Sequence, residues 1–362
     1  MKKYSVLIIT LFENNNYGNR LQNLAVVKIL EGYGISALTI RLSRRCSIPG
    51  RIRDAAAKIR DNVKQIINGE LRRIIRFNRF SRRYTPSVRV VKRIRTDLRD
   101  SLFIVGSDQV WNPAWGIGAR DDGKQCAYGV LASKKIALSP SFGVSRLTDE
   151  QKTFYKKWLA DFSRLSVREE EGAKILKELV NCPVEVLIDP TMALTADQWR
   201  QFNKDSNVAV DNYVFIYHLG NFSDRLSQQV VKLASEHNCQ TIDIMNKKNP
   251  YHLSDPLEWL FLVDNSRYVV TDSFHGCVFA LLFHVPFAVY ERKEDGQVEM
   301  SSRIKTLLKK FNCENRLITE ESGRLPSFEM DWISIDDILD GEREEFFIYL
   351  EEELLRTGLI AK

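Results

Sequence analysis

The chain has 362 residues, of which 44% are hydrophobic and 28% are charged, and its formal net charge is +6. This composition excludes a disordered or fibrous chain. The chain is longer than one that usually folds around a single hydrophobic core, so two domains are expected. No apolar stretch approaches the length of a membrane span, and the six cysteines lie too far apart for a metal or redox motif. We therefore expect a cytoplasmic protein with reduced thiols.

Short apolar runs alternate with amphipathic runs along most of the chain. The predicted strands are 5–12, 35–40, 102–105, 135–138, 165–167, 184–188, 213–218, 240–244, 267–271 and 287–290. The predicted helices are 19–31, 149–162, 169–180, 223–237, 256–263, 274–284 and 301–311. Alternation of this kind is typical of parallel sheets that are covered by helices.

A polar stretch at 195–212 is the best candidate for a linker between two such halves. We predict an α/β fold with two Rossmann-like domains that face each other across a cleft. Residues 1–194 form the first domain, with a basic helical insertion at about 43–99, and residues 195–362 form the second, with an acidic helix around 342–355.

The insertion concentrates positive charge, because 19 of the 53 Lys and Arg residues lie between Arg41 and Arg99. Within Arg51–Arg83, apolar residues recur at helical spacing and arginines occupy the opposite face. The segment is either a pair of surface helices that pack on the sheet or a helix that lies on an anionic membrane surface. Nucleic-acid binding ranks last, because aromatic residues are sparse and no known nucleic-acid motif is present.

The loop after the first predicted strand is rich in amides. Gly18 permits a tight turn, and the free N–H groups that follow it would suit an anion. Asn16, Asn19 and Gln22 add amide groups that suit sugar hydroxyls or a carboxylate. An asparagine-rich helix cap would give the same pattern.

The run 106–113 leaves another predicted strand with a cluster of polar side chains. Ser107, Asp108 and Gln109 follow the strand, and Trp111 and Trp115 would stack on the face of a sugar. A surface turn beside a core tryptophan is the alternative. The density of polar groups and indoles favours a binding site.

Two arginines begin predicted helices. Arg168 stands between a strand and a helix, where its guanidinium would hold a carboxylate or phosphate, or would pair with Glu169 or Glu171. Arg303 follows an acidic loop and is either a second anion clamp or an ordinary surface arginine.

The most informative run is 268–287, where a β-branched strand ends in a polar cluster and an apolar helix follows at once. Asp272, Ser273 and His275 lie at this junction. Such junctions face the ligand crevice of open α/β folds, and a helix N-terminus favours anions. A histidine at this position would exchange a proton near neutral pH.

Sequence motifs for metal, ATP and serine-hydrolase sites are absent, since the chain contains no His-Glu-x-x-His, Walker or Gly-x-Ser-x-Gly pattern. The sequence therefore predicts no metal ion and no cofactor.

Together these motifs resemble the polysaccharide pyruvyl transferase family. The resemblance extends from Tyr4 to about Arg316. It rests on Asn16-Tyr-Gly-Asn19 with Gln22, Gly106-Ser-Asp-Gln-Val-Trp111, Ser166-Val-Arg-Glu169, Ile188-Asp-Pro190, Asp272-Ser-Phe-His-Gly276 and Ser302-Arg-Ile304. The order and spacing of these motifs make the resemblance specific.

The resemblance implies a two-domain fold like that of GT-B glycosyltransferases. It also implies transfer of pyruvate from phosphoenolpyruvate, as co-substrate, onto two hydroxyls of a sugar in a cell-surface polysaccharide or its lipid-linked precursor. Arg168 matches the family's donor-binding arginine, and His275 matches its candidate general acid near the phosphate. Many relatives carry an arginine where this chain has Ser273.

The reaction suggests roles for the remaining residues. We expect His275 to protonate the donor or to orient its phosphate, and Arg168, Ser273 and Arg303 to hold the donor's anionic groups. The loop residues expected to bind the substrates or activate sugar hydroxyls are Asn16, Gly18, Asn19, Gln22, Ser107, Asp108, Gln109 and Trp111.

Two other functions fit the same pattern. A nucleotide-sugar glycosyltransferase would use the same two-domain frame, because fold alone does not fix function. A non-catalytic scaffold of a surface-polysaccharide complex is the third reading, which the presence of both Arg168 and His275 disfavours.

Overall fold

The computed structural model describes residues 4–12, 16–42, 70–90, 101–115, 124–127, 130–204, 206, 208–291, 302–318 and 324–361. Among the helices in these ranges, none combines the length and the hydropathy that a membrane span requires. The first part of the predicted basic insertion, 43–69, lies outside the described residues, as does the stretch 91–100.

Five parallel strands form the first sheet, in the order β3-β2-β1-β4-β5. They are β1 Val6–Ile9, β2 Ala37–Leu42, β3 Ser87–Val90, β4 Leu102–Val105 and β5 Lys135–Ala137. The register places Ile8 between Thr39 and Ile104. All four side chains of β1 and of β4 are buried, as expected for central strands of a parallel sheet that is covered on both faces.

A second parallel sheet has the order β12-β11-β10-β8-β9. Its strands are β8 Tyr213–Tyr217, β9 Gln240–Asp243, β10 Tyr268–Thr271, β11 Phe287–Tyr290 and β12 Leu317–Ile318. Two further strands, β6 Leu165–Val167 and β7 Val184–Val186, pair with each other in the first half of the chain. The two large sheets confirm the predicted α/β class with two Rossmann-like domains.

Helices cover both sheets. In chain order they are α1 Tyr17–Gly32, α2 Glu70–Tyr84, α3 Asp149–Leu159, α4 Glu170–Leu179, α5 Pro190–Ala193, α6 Ala196–Asn203, α7 Asp224–Glu236, α8 Pro256–Asp264, α9 Phe274–Leu282, α10 Ser302–Lys310 and α11 Trp332–Arg356. Side-chain caps set several of their starts. Thr148 and Thr195, for example, each form a capping box with the glutamine three residues later.

Helix α2 is the described part of the basic segment, and it connects the two domains. Its buried side chains include Arg73, Phe77 and Phe80, whereas Leu71 and Ile75 are 36% and 51% exposed. Leu71 and Ile75 belong to the apolar stripe that periodicity predicts within Arg51–Arg83, and in the described part of the helix these two side chains do not pack on the sheet. The aromatic rings of the other face offer more area for burial, and Phe77 lies 4.9 Å from the ring of Tyr17.

The long helix α11 bridges both domains. Near its start, Trp332 stacks on His284, and Glu342 pairs with Lys310. Farther along, the hydroxyl of Tyr349 donates to the carbonyl oxygen of Ala137, 2.7 Å away in the first sheet. The second half of this helix, which the sequence assigns to the second domain, thus packs on the first.

Sheet topology determines where a site can form. In the first sheet the strand order reverses between β1 and β4, and in the second between β8 and β10. Ligands of open α/β sheets bind beyond the carboxyl ends of strands at such switch points. The amide-rich loop and the 106–113 loop follow the first pair of strands, and the His275 junction follows the second. The fold thus brings the predicted motifs to one interface.

Candidate active site

The two domains meet in direct contact at Gly18 and His275. A β-carbon built on Gly18 would lie 2.0 Å from Nδ1 of the imidazole, so only a glycine fits against the ring. Gly18 lies in the first turn of α1, which Asn16 caps by accepting from the N–H of Asn19 at 3.0 Å. The predicted glycine of the first loop therefore positions the predicted histidine of the second domain.

Arg168 links two carboxylates at the centre of this interface. Its Nη1 lies 2.5 Å from Oδ2 of Asp189, and its Nη2 lies 3.3 Å from Oδ1 of Asp108. The guanidinium also sits 4.2 Å above the ring of Phe274, the first residue of α9. Its side chain is 1% exposed, so both ends of the fork are held by protein groups.

Asp189 holds this centre together. One carboxylate oxygen accepts from the N–H and the hydroxyl of Thr191 at 3.0 and 2.7 Å. The other accepts from the hydroxyl of Ser107 at 2.8 Å and lies 3.7 Å from Nε2 of His275. Burial opposes ionisation of this carboxyl, but Arg168 and His275 outweigh burial and hold the pKa of Asp189 well below its usual value. The carboxylate stays ionised.

Asp108 occupies the left-handed backbone region, with a φ of 66° that few non-glycine residues adopt. Its Oδ2 accepts from the amide of Asn19 at 3.2 Å, and Nη1 of Arg303 lies 4.0 Å from its Oδ1. Burial opposes ionisation here too, but Arg168, His275 and Arg303 together lower the pKa of Asp108. Such a carboxylate is a weak base and a strong hydrogen-bond acceptor.

A chain of hydrogen bonds fixes the backbone around Ser107. The N–H of Ser107 donates to Gln22 at 3.2 Å, and the amide of Gln22 donates to the hydroxyl of Thr10 at 2.8 Å. That hydroxyl donates in turn to the carbonyl oxygen of Ser107 at 2.9 Å. Gln22 is fully buried, so its role in this structure is to join the two loops.

Glu169 is a site residue that the sequence reasoning used only as an alternative partner for Arg168. Its Oε1 accepts from the hydroxyl of Ser141 and from the N–H groups of Phe142 and Gly143, at 3.0, 2.8 and 3.2 Å. Its Oε2 has no hydrogen-bond partner among the described residues. Burial raises the pKa of Glu169, although Arg168 and Arg303 act in the opposite direction.

Three predicted residues lie at the edge of this cluster or away from it. Ser273 caps α9 by accepting from the N–H of Gly276 at 3.4 Å. The side chain of Gln109 contacts Asn112. Trp111 is fully buried in the core of the first domain, 5.4 Å from the ring of Phe142, so it packs there rather than on a sugar. The side chain of Trp115 lies outside the described residues.

The interface also contains a cavity of about 320 Å³ that is open to solvent. It lies beside the cluster, beyond the carboxyl ends of β8 and β9. Its lining residues come from both domains: Asn16, Glu70, Arg73, Leu219, Met245, Lys247 and His252. Leu219 connects the cavity to the His275 junction, because its N–H donates to Asp272 at 2.8 Å.

The arrangement brings together two cations, two ionised carboxylates and an imidazole. Nε2 of His275 has no hydrogen-bond partner among the described residues, and the ring is 5% exposed. Electrostatic interactions in such a water-poor setting are stronger than in bulk water. The site is therefore suited to proton transfer between the domains.

Sequence reasoning found His275, Asp108, Arg168, Arg303, Asn19 and Gly18, and the structure places all six in this cluster. It used Asp189 only as part of the Ile188-Asp-Pro190 motif and gave it no role in the site, because an aspartate before a proline is an ordinary helix cap and stop. It also missed Arg73, which was one arginine among many in a basic segment. Only their contacts in the folded chain distinguish these two residues: Asp189 contacts Arg168 and His275, and Arg73 lines a cavity.

Comparison with known proteins adds the family. A model of the polysaccharide pyruvyl transferase family matches residues 16–294. No curated protein matches the chain in sequence.

Solved structures of low sequence identity are also similar over nearly their whole length. The structure of UDP-GlcNAc 2-epimerase from Neisseria meningitidis bound to UDP-GlcNAc is 10% identical, with 97% of this chain and 93% of that chain covered at a TM-score of 0.38. UDP-N-acetylglucosamine 2-epimerase from Rickettsia bellii is 10% identical, with 98% of each chain covered at a TM-score of 0.39. The glycotransferase of kitacinnamycin is 10% identical, with 97% and 98% covered at a TM-score of 0.43. The family match spans most of the chain and includes His275, Arg168 and Asp108, and the chain belongs to the polysaccharide pyruvyl transferase family.

Proposed function

We propose that this protein transfers a pyruvyl group from phosphoenolpyruvate to a sugar residue of a cell-surface polysaccharide or its lipid-linked precursor. The product is a cyclic ketal, and phosphate is released. Family membership supports the transferase class. The observation that carries the proposal is that Arg168 and His275, from different domains, share the carboxylate of Asp189 at 2.5 and 3.7 Å.

The reaction needs an acid for the methylene carbon of the donor. Protonation of that carbon leaves an oxocarbenium-like centre at C2, to which a sugar hydroxyl adds as it gives up its proton. The bond from C2 to the phosphate oxygen then breaks, and the second hydroxyl adds to C2 and loses its proton. Nε2 of His275 is the proposed acid, because it forms no hydrogen bond with the described residues and lies 3.7 Å from the carboxylate of Asp189.

Charged neighbours of His275 would hold the donor. Arg303 borders Asp108 at 4.0 Å, and the N-terminus of α9 would face the donor's phosphate or carboxylate. Arg168 is paired with Asp108 and Asp189, so it would position those carboxylates. It would contact the donor only after one of them moves away from the guanidinium. Asp108 would accept a hydrogen bond from a sugar hydroxyl.

A lipid-linked acceptor would lie at a membrane surface. Helix α2 exposes Arg72, Arg79, Arg82 and Arg83 to solvent. Arginines on an exposed helix face are attracted to anionic lipid headgroups. The exposed arginines therefore support docking of the enzyme on the cytoplasmic face of the membrane through the basic segment Arg51–Arg83.

Phosphate release from phosphoenolpyruvate tests the proposal, with His275→Ala as the variant and the exposed His284→Ala as the control. We expect His275→Ala to abolish release in the presence of the acceptor, and His284→Ala to retain it. Thermal-shift measurements with phosphoenolpyruvate and with a panel of nucleotide sugars identify the donor, because a bound donor raises the unfolding temperature. Stabilisation by a nucleotide sugar alone would refute the pyruvyl transfer proposal in favour of glycosyl transfer.

A further inference from the structure

The cavity between the domains contains a buried cation, Arg73, that forms no ion pair with the described residues. Arg73 of α2 lines it and is 4% exposed. Nε of its guanidinium has no hydrogen-bond partner among the described residues, and the carboxylates of Asp255 and Glu258 pair instead with Arg76 on the same helix. An isolated buried charge is costly, so its retention in a cavity points to a ligand of opposite charge.

The contacts that Arg73 makes, including an interaction with the hydroxyl of Tyr17, are to uncharged groups. Its guanidinium lies 5.0 Å from the ring centre of Tyr17 and 5.6 Å from that of Phe77. Nη2 lies 4.0 Å from the sulfur of Met245. These neighbours hold the side chain in place and leave the charge without compensation.

The rest of the lining is also suited to an anion. Lys247 pairs with Glu70 at 2.9 Å, so Arg73 and Lys247 against Glu70 leave one net positive charge. Nδ1 of His252 bonds the carbonyl oxygen of Ile244 at 2.9 Å and must be the donor there. Burial lowers the pKa of His252, and the nearby Arg73 and Lys247 lower it further, so the neutral ring offers Nε2 as an acceptor for a hydroxyl.

We propose that Arg73 and Lys247 form an oxyanion-binding subsite in the interdomain cavity, which takes a phosphate or carboxylate group of one substrate. His252 and Asn16 would bind neighbouring hydroxyl groups of the same ligand. Two contacts link the cavity lining to His275. The N–H of Leu219 donates to Asp272, three residues before His275, and Tyr17, whose ring lies near Arg73, precedes the Gly18 that contacts the imidazole.

This inference rests on the proposed function for the identity of the substrates. Two sources of the oxyanion fit the site. The donor would place its phosphate or carboxylate there, and Arg73 would then supply a cation that the second domain lacks at Ser273. An acidic acceptor, such as one that carries a uronic acid, would place its carboxylate there.

Isothermal titration calorimetry of the full chain tests the subsite with four probes: inorganic phosphate, phosphoenolpyruvate, glucuronic acid and glucose. Arg73→Met keeps most of the side-chain volume and removes the charge. We expect the anionic probe that the wild type binds to bind Arg73→Met about 10- to 100-fold more weakly, the loss expected for one charge-assisted contact. The exposed Arg79→Met on the same helix is the matched control and should leave the affinity unchanged.

The probes separate the two sources. A loss confined to phosphoenolpyruvate and phosphate assigns the subsite to the donor, and a loss confined to glucuronic acid assigns it to the acceptor. Lys247→Met is a second variant on a half-exposed side chain, whose removal leaves the packing around Arg73 in place. It should weaken the same probe about 3- to 10-fold.

Several results would overturn the subsite. They are wild-type affinity in either Arg73→Met or Lys247→Met, an equal loss in Arg79→Met, or a wild type that binds none of the anionic probes. Failure of the proposed function looks different. His275→Ala should keep anion binding while it loses turnover, so phosphate binding that depends on Arg73 would survive even if phosphoenolpyruvate were never turned over.

Discussion

The backbone of Gly18 packs directly against the imidazole of His275, and a β-carbon there would lie 2.0 Å from Nδ1 and 2.2 Å from Cγ. Contacts this short cannot be accommodated without movement of the ring or of α1. We therefore expect Gly18→Ala to reduce pyruvyl transfer at least about 100-fold by displacing the acid, since misplacement by about 1 Å can cost that much. Steady-state phosphate release measures the effect.

Gly32→Ala is the control for that variant. Gly32 ends the same helix, and a β-carbon there meets nothing within 4 Å. Alanine favours the helix over glycine by up to about 1 kcal/mol, so this variant should be active and slightly more stable. Equal activity in the two alanine variants would show that the contact between Gly18 and His275 does not matter for catalysis.

Removal of the Asp189 carboxylate should destabilise the protein. Asp189→Asn leaves Arg168 buried with a weaker set of partners, and breaking a buried ion pair costs about 3 kcal/mol or more. Urea unfolding at neutral pH measures the loss. The exposed Asp197→Asn, which removes a surface pair with Arg200, should cost less than about 0.5 kcal/mol.

The difference in unfolding free energy between the wild type and Asp189→Asn should depend on pH, because the pKa of Asp189 is low in the folded state. The unfolded-state pKa is about 3.9, so the stabilising contribution is fully present above about pH 4 to 5 and is lost as the pH falls toward the folded-state pKa. The gap in unfolding free energy between wild type and Asp189→Asn should narrow as the pH is lowered below about 4. A gap that is constant with pH would contradict the ion-pair assignment.

Glu169 should show the opposite trend. Its folded-state pKa is raised, so its favourable contribution is present below the unfolded-state pKa of about 4.3 and is lost as the pH rises through the folded-state pKa. Glu169→Gln keeps an oxygen for the three hydrogen bonds and cannot ionise. Its stability relative to the wild type should therefore increase from about pH 4 to about pH 8, as measured by chemical unfolding, and a decrease over that range would contradict the prediction.

The C-terminal helix should stabilise the first domain. Tyr349→Phe removes the hydrogen bond to the carbonyl of Ala137, which still accepts from the hydroxyl of Ser166 at 2.7 Å. We expect a cost of about 1 kcal/mol. Hydrogen exchange should accelerate in β5 of the first sheet more than in β11 of the second, and equal acceleration in both would argue against a bridging role.

Much of the architecture follows from local patterns. The alternation of apolar and amphipathic runs predicts the strands and helices, because parallel strands covered by helices must be apolar on both faces. The loops at the strand ends were recognisable as a site for the same reason. Polar clusters at carboxyl ends of buried strands, such as Asp108 and His275, are typical of ligand crevices.

The sequence does not predict which face of helix α2 is buried. Periodicity placed Leu71 and Ile75 inward, whereas the structure buries Arg73 and Phe77 against Tyr17. A helix in a basic segment has more than one face that can pack, and the shape and aromatic content of the partner surface select between them.

The amino-acid order by itself determined the two parallel sheets, the loops that end them and the residue types of the reacting cluster, because those depend on short-range periodicity and turn chemistry. Only the tertiary structure decided that Asp189 joins Arg168 to His275, that Gly18 fits the imidazole, and that Arg73 faces a cavity in which the carboxylate of Glu70 pairs with Lys247. Those relationships join residues 21 to 257 positions apart in the chain, and their geometry is set by how the two sheets pack through their carboxyl ends.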